Sequence, residues 1–458
     1  MDQQREKFSS RLGFILISAG CAIGLGNVWK FPYITGQYGG AAFVLIYILF
    51  LLILGIPIMV TELAVGRASQ KSVAMSMDVL EPKGTNWHIF KYFAMAGNYI
   101  LMMFYTTVAG WMLYYFIKMS AGGFVGLDKD GIAGIFGSML QNPALMAGFM
   151  IAVVLIGFGI CSQGLQKGVE KITKVMMLLL LLLMVILATR SIFLKGGEEG
   201  LRFYLTPDFS ALKEFGIVEV LFAALGQAFF TLSIGMGAIA IFGSYIDRSR
   251  SLTGEAIFIT FLDTMVALMA GLIIFPACFA YGINPDAGPS LIFITLTNVF
   301  NAMPGGRLWG SLFFLFMCFA ALSTVIAVFQ NIISFGTDLT KASRKKVVSI
   351  NLIAIILLSL PCVLGFNVLS GIQPLGEGST FLDLEDFIVS NNILPLGSVV
   401  YVLFCSAKMG WGWDNFMAEA NSGKGLMFPK SIRFYIQWIL PLIVLFVFVM
   451  GYKSLFFS

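Results

Sequence analysis

The chain has 458 residues, of which 58% are hydrophobic and 12% are charged. Soluble domains contain about 45–50% apolar and about 25% charged residues, so this composition excludes a soluble protein and indicates a membrane domain throughout. The formal net charge of +5 does not indicate nucleic-acid binding, because Lys and Arg stand in short segments between apolar runs rather than on one face. His88 is the only histidine, which excludes His-based metal sites and His-dependent triads.

Apolar runs of about 20 residues, long enough to cross about 30 Å of hydrocarbon, recur along the sequence with short polar breaks. They predict an all-α polytopic membrane protein with about 11 transmembrane helices in a single domain, residues 1–458. The predicted spans are 12–37, 41–65, 89–120, 144–161, 173–193, 217–242, 256–281, 308–334, 347–365, 387–405 and 432–451. The sequence has no Walker-type glycine loop, which argues against a pump with its own ATPase.

The basic residues predict the orientation of these spans. Basic residues precede span one and follow spans two, four, six and eight, as Arg67, Arg248 and Arg344 do. The loops on the other side carry fewer basic residues, and acidic residues there offset their positive charge. Because Lys and Arg in short loops face the cytoplasm, we predict a cytoplasmic N-terminus and, with an odd number of spans, a C-terminus outside.

Spans one and six each contain a glycine pair in mid-membrane, Gly24 with Gly26 and Gly235 with Gly237. Small residues at this spacing also serve close helix packing. The two spans lie five apart, however, so they cross the membrane in opposite senses, as matched interrupted helices of inverted repeats do in transporters. Unwinding would free carbonyl oxygens for a cation and point helix N-termini at an anion. The pattern predicts a site for a carboxylate beside sodium.

The segment around the first glycine pair, Ala-Ile-Gly-Leu-Gly-Asn-Val-Trp-Lys-Phe-Pro-Tyr from Ala22 to Tyr33, resembles the first-helix signature of the neurotransmitter:sodium symporter family. Further matches fall in family order. They are Gly39 to Phe43, Gly55 to Pro57, Glu62 with Gly66 and Arg67, Gly226 to Ser233, Ser244 with Tyr245, and Gly288 to Phe293.

The resemblance implies the fold and the branch of the family. It implies a five-plus-five inverted repeat, with helices 1–5 at about 12–193, helices 6–10 at about 217–405 and helix 11 at about 432–451, and with helices 1 and 6 unwound at mid-membrane. The chain is most similar to the bacterial amino-acid transporter branch, which implies a multi-pass protein of the bacterial inner membrane.

The resemblance also implies two sodium sites. The first would use the Ala22 carbonyl, the Asn27 amide, Thr231 and Asp263. The second would use the carbonyls of Gly20, Ile23 and Ala320 with the hydroxyls of Ser323 and Thr324. Hard alkali cations need several oxygen ligands, which these groups supply; the alternative for both hydroxyls is ordinary back-bonding to a helix carbonyl.

Asp263 departs from the family pattern. Many members have Asn there with a nearby Ser that helps to bind chloride, whereas the nearby position here is Ala267. An acidic side chain in mid-membrane costs about 2.5–3.5 kcal/mol on insertion scales, so it is a functional candidate. We expect Asp263 to supply the charge that chloride provides in relatives, so that chloride is not required, and to permit proton antiport. Glu62 is expected to bond the unwound backbone of span one.

The predicted substrate pocket is apolar, with backbone amides to hold a carboxylate. Its residues are Gly24, Gly26, Leu101, Tyr105, Phe230, Ser233, Met236, Ser323 and Val328. Monoamine transporters of the family have Asp where Gly24 stands, so an amino acid is favoured, and flexible Met236 can adapt to different ligands; ordinary helix packing is the alternative for Met236 and the aromatics. The predicted gates are Lys30 with Asp386 outside, and Arg5, Ser244, Tyr245, Gln330 and Asp338 on the cytoplasmic side.

These expectations combine into a sodium-coupled symporter that imports neutral, hydrophobic or aromatic L-amino acids by alternating access, with two sodium ions and without chloride. Its partners would be the amino-acid substrate and the lipid bilayer, with no nucleic acid, and it would be a monomer or weak oligomer. The open alternatives are a sodium-coupled osmolyte or amine carrier and a non-transporting sensor. An enzyme is disfavoured, because the intramembrane carboxylates are not paired by spacing.

Overall fold

The computed structural model describes residues 7–282 and 291–456, and within these ranges the chain is helical without β-strands. Among the described residues, nine helices are long and apolar enough to cross a membrane, and the bent pair that forms the first span makes a tenth. The multi-span helical fold is thereby confirmed. The count of eleven stays a prediction, because the sixth span is two short helices.

The helices that form the bundle are numbered α1 to α11 in chain order. They are α1 (Arg11–Ala22 and Gly26–Gln37), α2 (Ala41–Ser69), α3 (Trp87–Ser120), α4 (Pro143–Ser162), α5 (Leu165–Ile192), α6 (Ile217–Leu232 and Ala238–Gly243), α7 (Leu252–Ala280), α8 (Gly306–Thr340), α9 (Arg344–Leu364), α10 (Phe381–Ser406) and α11 (Lys430–Met450). Shorter helices join them: Val73–Leu80, Lys129–Leu140, Glu198–Leu205, Ala211–Phe215, Leu291–Ala302 and Trp413–Ala420.

The centre of the bundle is α8, which packs against α1, α3, α4 and α5. A helix that faces protein on all sides must be apolar all round, and the apolar window of α8 is 78% buried, against 39% for α9. The more exposed helices α4, α9 and α11 carry outward-facing Leu, Ile and Phe side chains. The interior helices are therefore enclosed by protein, and the outer ones present an apolar surface.

Helix α1 is broken at residues 23–25, and its two halves meet at 54°. Ile23 is extended, with φ −67° and ψ 103°, and its N–H still bonds to the Ala19 carbonyl. The second half begins with a π-helical turn, Gly26–Lys30, and continues past Pro32, which has no N–H to give to the preceding turn. The break predicted from the first glycine pair is present.

Helix α6 is broken at residues 233–237, where three residues have positive φ: Ser233 (51°), Gly235 (97°) and Gly237 (77°). Such backbone conformations suit glycine. The N–H groups freed by this break are satisfied by Glu62 of α2, whose carboxylate accepts from Gly235 (2.8 Å) and Ile239 (2.9 Å). The expectation that Glu62 bonds the backbone of span one is wrong, because α2 packs against the second half of α6 instead.

One end of the bundle is held by a buried ion pair between α2 and the helix Trp413–Ala420. Arg67 Nε donates to Glu419 Oε1 at 2.6 Å, and Arg67 Nη1 donates to the Arg250 carbonyl at 2.6 Å. Arg248 adds a second, more exposed bond to Glu419 at 2.8 Å. In the same loop, donation by the Ser249 hydroxyl and N–H holds the pKa of Asp247 below its usual range.

Candidate substrate and sodium sites

A cavity lies where the breaks of α1 and α6 face each other, and α3, α8 and α10 complete its walls. The lining residues are Ala22, Gly24, Gly26, Leu101, Tyr105, Phe230, Ser233, Met236, Thr324, Val389 and Leu394. These are apolar or aromatic side chains around a polar strip of unwound backbone. The chemistry of this lining suits a small ligand with an apolar side chain and a charged end. The cavity measures about 20 Å³, which is room for about one water, so its walls must separate to admit such a ligand.

Two residues predicted for the pocket, Ser323 and Val328, do not line it, although both are fully buried. Thr324 of α8 reaches the cavity instead. Adjacent helical residues point about 100° apart, which turns Ser323 away, and a residue four positions on lies about 6 Å further along the axis. Val328 therefore packs below the cavity, towards the end of α8 that carries Gln330.

The unwound segment of α1 is tightly held at Gly24. The Gly24 N–H donates to Asn27 Oδ1 at 3.0 Å, and the Leu25 N–H donates to the Tyr105 hydroxyl at 3.0 Å. A Cβ atom at Gly24 would overlap the Tyr105 hydroxyl and the Thr324 hydroxyl. The position is therefore restricted to glycine by space, and a larger acidic side chain would not fit there.

The first predicted sodium site is a compact cluster of oxygen-bearing groups. Asn27 Nδ2 donates to Asp263 Oδ1 (2.8 Å) and to Thr231 Oγ1 (2.9 Å), and Thr231 Oγ1 donates to Asp263 Oδ2 (3.0 Å). All three side chains are fully buried, and the carbonyl-bearing Ala22 lines the adjoining cavity. The hydroxyl and carboxylate oxygens meet here, while Asn27 Oδ1 faces the Gly24 N–H. Oxygen ligands of these kinds fit a hard cation, and the single carboxylate suits a monovalent one.

The second predicted sodium site joins α1 to α8. Ser323 Oγ lies 2.9 Å from the Ala320 carbonyl and 3.3 Å from that of Ile23. Thr324 Oγ1 lies 3.3 Å from the Gly20 carbonyl and 3.2 Å from that of Ile23. The Cys21 carbonyl lies 3.4 Å from Thr324 Oγ1 as well. Four carbonyls and two hydroxyls thus converge between the helices, which is more than back-bonding within α8 requires. The donor set contains only oxygen and no fixed charge, and it fits an alkali cation.

On the predicted outer side, Lys30 closes the way to the cavity. Its Nζ lies 3.1 Å from Asp386 Oδ2 and 3.4 Å from Ser390 Oγ, and 4.1 Å from the centre of the Phe230 ring. Phe230 also lines the cavity. An ion pair and a cation–π contact therefore lie directly above the ring that covers the site, and the predicted residues of the outer gate are in contact.

On the predicted cytoplasmic side, Tyr245 and Gln330 are in contact: Gln330 Nε2 donates to the Tyr245 hydroxyl at 2.8 Å. Ser334, which was not predicted, lies 2.9 Å from the same hydroxyl. Ser244 donates back to its own helix at the Ile241 carbonyl (2.6 Å). Asp338 accepts from the Ser72 N–H at 2.7 Å. Arg5 lies outside the described residues.

Sequence reasoning also missed a contact between the N-terminal segment and α5. Glu170 is buried and accepts from the Ser9 N–H (2.8 Å) and the Ser9 hydroxyl (2.6 Å). It belongs to a π-helical turn, Leu165–Glu170, that follows Gly164. Glu62 and Asp263 stand inside apolar spans, which marks them as functional candidates in the sequence. Glu170 stands among charged loop residues, so its sequence position does not distinguish it.

The missed wall residues Val389 and Leu394 come from an irregular part of α10. The turn Ile388–Ile393 is π-helical, a form that recurs at functional sites. Pro395 lacks the N–H that would bond to the Asn391 carbonyl in a regular helix. A proline inside an apolar span was the signal in the sequence that could have indicated this irregularity.

Known proteins similar to this chain agree with the geometry. A sequence profile of the Sodium:neurotransmitter symporter family matches residues 5–122 and 134–456. The uncharacterized sodium-dependent transporter YhdH of Bacillus subtilis is 34% identical over 449 residues, 98% of each chain. An uncharacterized sodium-dependent transporter of Methanocaldococcus jannaschii is 33% identical over 91% of this chain and 84% of its own.

Among solved structures, the crystal structure of MhsT in complex with L-phenylalanine superposes with a TM-score of 0.88 at 36% identity, covering 98% of this chain and 100% of that one. The family predicted from the first-helix motif is confirmed. The chain belongs to the Sodium:neurotransmitter symporter family, whose members are sodium-coupled membrane transporters and not enzymes.

Proposed function

We propose that this protein imports neutral, hydrophobic or aromatic L-amino acids together with sodium. The observation that carries the proposal is the cavity itself: apolar walls formed by Leu101, Phe230 and Met236 adjoin the unwound backbone at Gly24. A zwitterion would direct its side chain to those walls and its carboxylate to the backbone N–H groups and a bound cation. Support also comes from the phenylalanine bound to the similar MhsT.

Two sodium ions are the proposed driving species, one in each cluster of oxygen ligands. Each positive charge that moves inward through 100 mV gains about 2.3 kcal/mol. Two ions gain about twice that, and since about 1.4 kcal/mol corresponds to a tenfold change, the potential alone suffices for about a thousandfold accumulation of a neutral solute. One ion binds the oxygen ligands of the first site and the other binds those of the second, and the substrate undergoes no chemical change.

Chloride is not required in this proposal, because the buried carboxylate of Asp263 already places a negative charge beside the first sodium site. The nearby position that holds a hydroxyl in chloride-binding relatives is Ala267, which is buried and apolar. A second anion next to an ionised Asp263 would be repelled. When the site is empty, the same carboxylate can take up a proton and return it outward.

The transport cycle alternates between two closures, each formed by the contacts already described. Lys30 with Asp386 closes the outer side, and Tyr245 with Gln330 closes the cytoplasmic side. We place the N-terminus in the cytoplasm and the C-terminus outside a bacterial inner membrane, with residues 1–458 as one transporter domain. The protein works as a monomer or a weak oligomer, because all of the ligand sets come from one chain.

The test is uptake of radiolabelled L-phenylalanine and L-leucine into proteoliposomes with an imposed sodium gradient. We expect uptake that needs sodium, collapses with choline in its place, and is the same in chloride and gluconate. Thr231→Val replaces a first-site hydroxyl by a methyl group and should raise the sodium concentration needed at least tenfold. Thr189→Val is its matched control, since Thr189 is exposed and bonds only to its own helix.

Three outcomes would contradict parts of the proposal. Competition by betaine or taurine but not by amino acids would favour the osmolyte alternative. Sodium-dependent binding without uptake would favour a sensor. Uptake that requires chloride in the native protein would remove the assigned role of Asp263.

A further inference from the structure

Another buried carboxylate, Glu385, lies in the first turns of α10 and has no role in the site described above. Its side chain is 3% exposed. Among the described residues it is the acidic side chain whose two oxygens both lack a nitrogen or oxygen partner, and the polar group beside it is a thiol. The other buried carboxylates have such partners: Glu62 accepts backbone N–H groups, Glu170 accepts from Ser9, Asp263 bonds to Asn27, and Glu255 and Glu419 each pair with an arginine.

Glu385 and its neighbour Asp386 point in different directions, because adjacent helical residues diverge by about 100°. Asp386 pairs with Lys30 at 3.1 Å. Glu385 turns towards α9, where the fully buried thiol of Cys362 lies beside it. On the same side α3 contributes Thr107, which lies next to that thiol and donates its own hydroxyl to the Met103 carbonyl.

Among the described residues, no lysine or arginine is bonded to Glu385. The titratable group beside it on α9 is the Cys362 thiol, and the non-titratable Thr107 of α3 lies next to that thiol. On its own helix, Asp383 is bound within a capping box by Thr380, and Asp386 is paired with Lys30. An ionised carboxylate removed from water without a partner is strongly disfavoured, so Glu385 in this packed state is a neutral acid.

A sodium ion is a poor alternative ligand for this position. Alkali cations need several oxygens, as at the two sites beside the cavity, and here the facing groups are a thiol and a hydroxyl that is already donating. A proton needs one oxygen only. The ligand that matches a single buried, unpartnered carboxyl is therefore a proton.

We propose that Glu385 is a proton-binding site of the outer gate, protonated while the outer ends of α9 and α10 are packed against α3 and ionised when they separate and water enters. Because Glu385 and Asp386 share one helical turn, a movement of α10 that parts Lys30 from Asp386 also moves Glu385. Since the open state releases this proton, raising the outside pH above the value at which the exposed carboxyl ionises favours the open outer side. For one proton, the equilibrium constant for opening changes at most tenfold per pH unit.

The test is hydrogen–deuterium exchange of peptides covering residues 381–393 between pH 5 and 8.5, corrected for the intrinsic rate at each pH. In the native protein, protection should fall with rising pH, by up to tenfold per unit. Glu385→Gln, a neutral mimic of the protonated acid, should keep its protection across the range. Glu377→Gln removes an exposed carboxyl from the preceding loop and should behave as the native protein does.

Parallel pH profiles in the native protein and Glu385→Gln would overturn the proposal. Protection that depends on sodium rather than pH, seen when choline replaces sodium, would also overturn it and would assign a bound cation instead. Should Glu385→Gln fail to fold, Glu385→Met serves in its place, because an apolar side chain of similar length should also be insensitive to pH. The exchange needs no substrate, so its outcome is separate from the identity of the transported solute.

Discussion

Replacing Asp263 by asparagine tests the charge beside the first sodium site. The side chain keeps its size, and its amide can still accept from Asn27 and donate to Thr231, which now lie 2.8 and 3.0 Å from the carboxylate. The fold should therefore survive while one formal charge is lost. At a separation of about 4 Å from a bound sodium ion and an effective dielectric constant of about 20, the attraction of that charge would be worth about 4 kcal/mol.

A loss of about 4 kcal/mol corresponds to about a thousandfold weaker sodium binding, and relief of the carboxylate's desolvation cost should reduce this to roughly a hundredfold. The assay is the sodium concentration that gives half-maximal binding of radiolabelled L-phenylalanine, in chloride and in gluconate. We expect a large rightward shift in Asp263→Asn that chloride partly reverses. Asp414→Asn, which alters an exposed carboxyl, should give the native value. A shift of less than threefold would refute the reasoning.

Two further changes test the walls of the cavity. Gly24→Ala places a methyl group against the Tyr105 and Thr324 hydroxyls and should weaken sodium-dependent L-phenylalanine binding at least tenfold. Gly148 has open space around it, so the control Gly148→Ala should bind as the native protein does. Equal binding by the two variants would contradict the overlap at Gly24. Val389→Ala enlarges the cavity and should shift the ratio of tryptophan to leucine binding about tenfold towards tryptophan, measured by competition; an unchanged ratio would show that Val389 does not contact the ligand.

The broken helices were predictable because their cause is local. Glycine pairs at residues 24 and 26 and at 235 and 237 stand in runs that are otherwise continuously apolar, and positive φ in α6 occurs at the glycines and at Ser233. Their position five spans apart then supplied the inverted relation between them. The sodium ligands follow from the same segments, since most of them lie within a few residues of a break.

Contacts between helices were less predictable, because the sequence does not say which helix lies beside which. Glu62 was expected to serve the break in α1 and serves the break in α6, since the packing partner of α2 is a property of the whole bundle. Val328 was assigned to the pocket although the cavity ends near Thr324, one helical turn earlier. Val389 was missed because it lies in the π-helical turn Ile388–Ile393, where the side-chain directions of a regular helix do not apply.

The contact between the N-terminal segment and α5 offers a final test of how the cytoplasmic side stays closed. Glu170 accepts from the Ser9 N–H and hydroxyl, and the preceding residue, Phe8, packs on the loop after α6, where the Phe8 and Tyr245 rings lie 5.5 Å apart. Hydrogen bonds to a charged group contribute about 1.5–3 kcal/mol each. Glu170→Gln loses the charge and one acceptor, so local opening should rise roughly tenfold to a hundredfold.

The measurement is hydrogen–deuterium exchange of the peptide that begins at residue 7, with Glu198→Gln as the control, because Glu198 is exposed on the opposite side of the predicted membrane. Faster exchange confined to the N-terminal segment, with the peptides of α10 unchanged, would show that Glu170 restrains the cytoplasmic closure alone. Unchanged exchange would mean that the aromatic packing of Phe8 suffices to hold the segment. Faster exchange at both ends would mean that the two closures are coupled through α1, whose halves connect the Ser9 and Lys30 contacts.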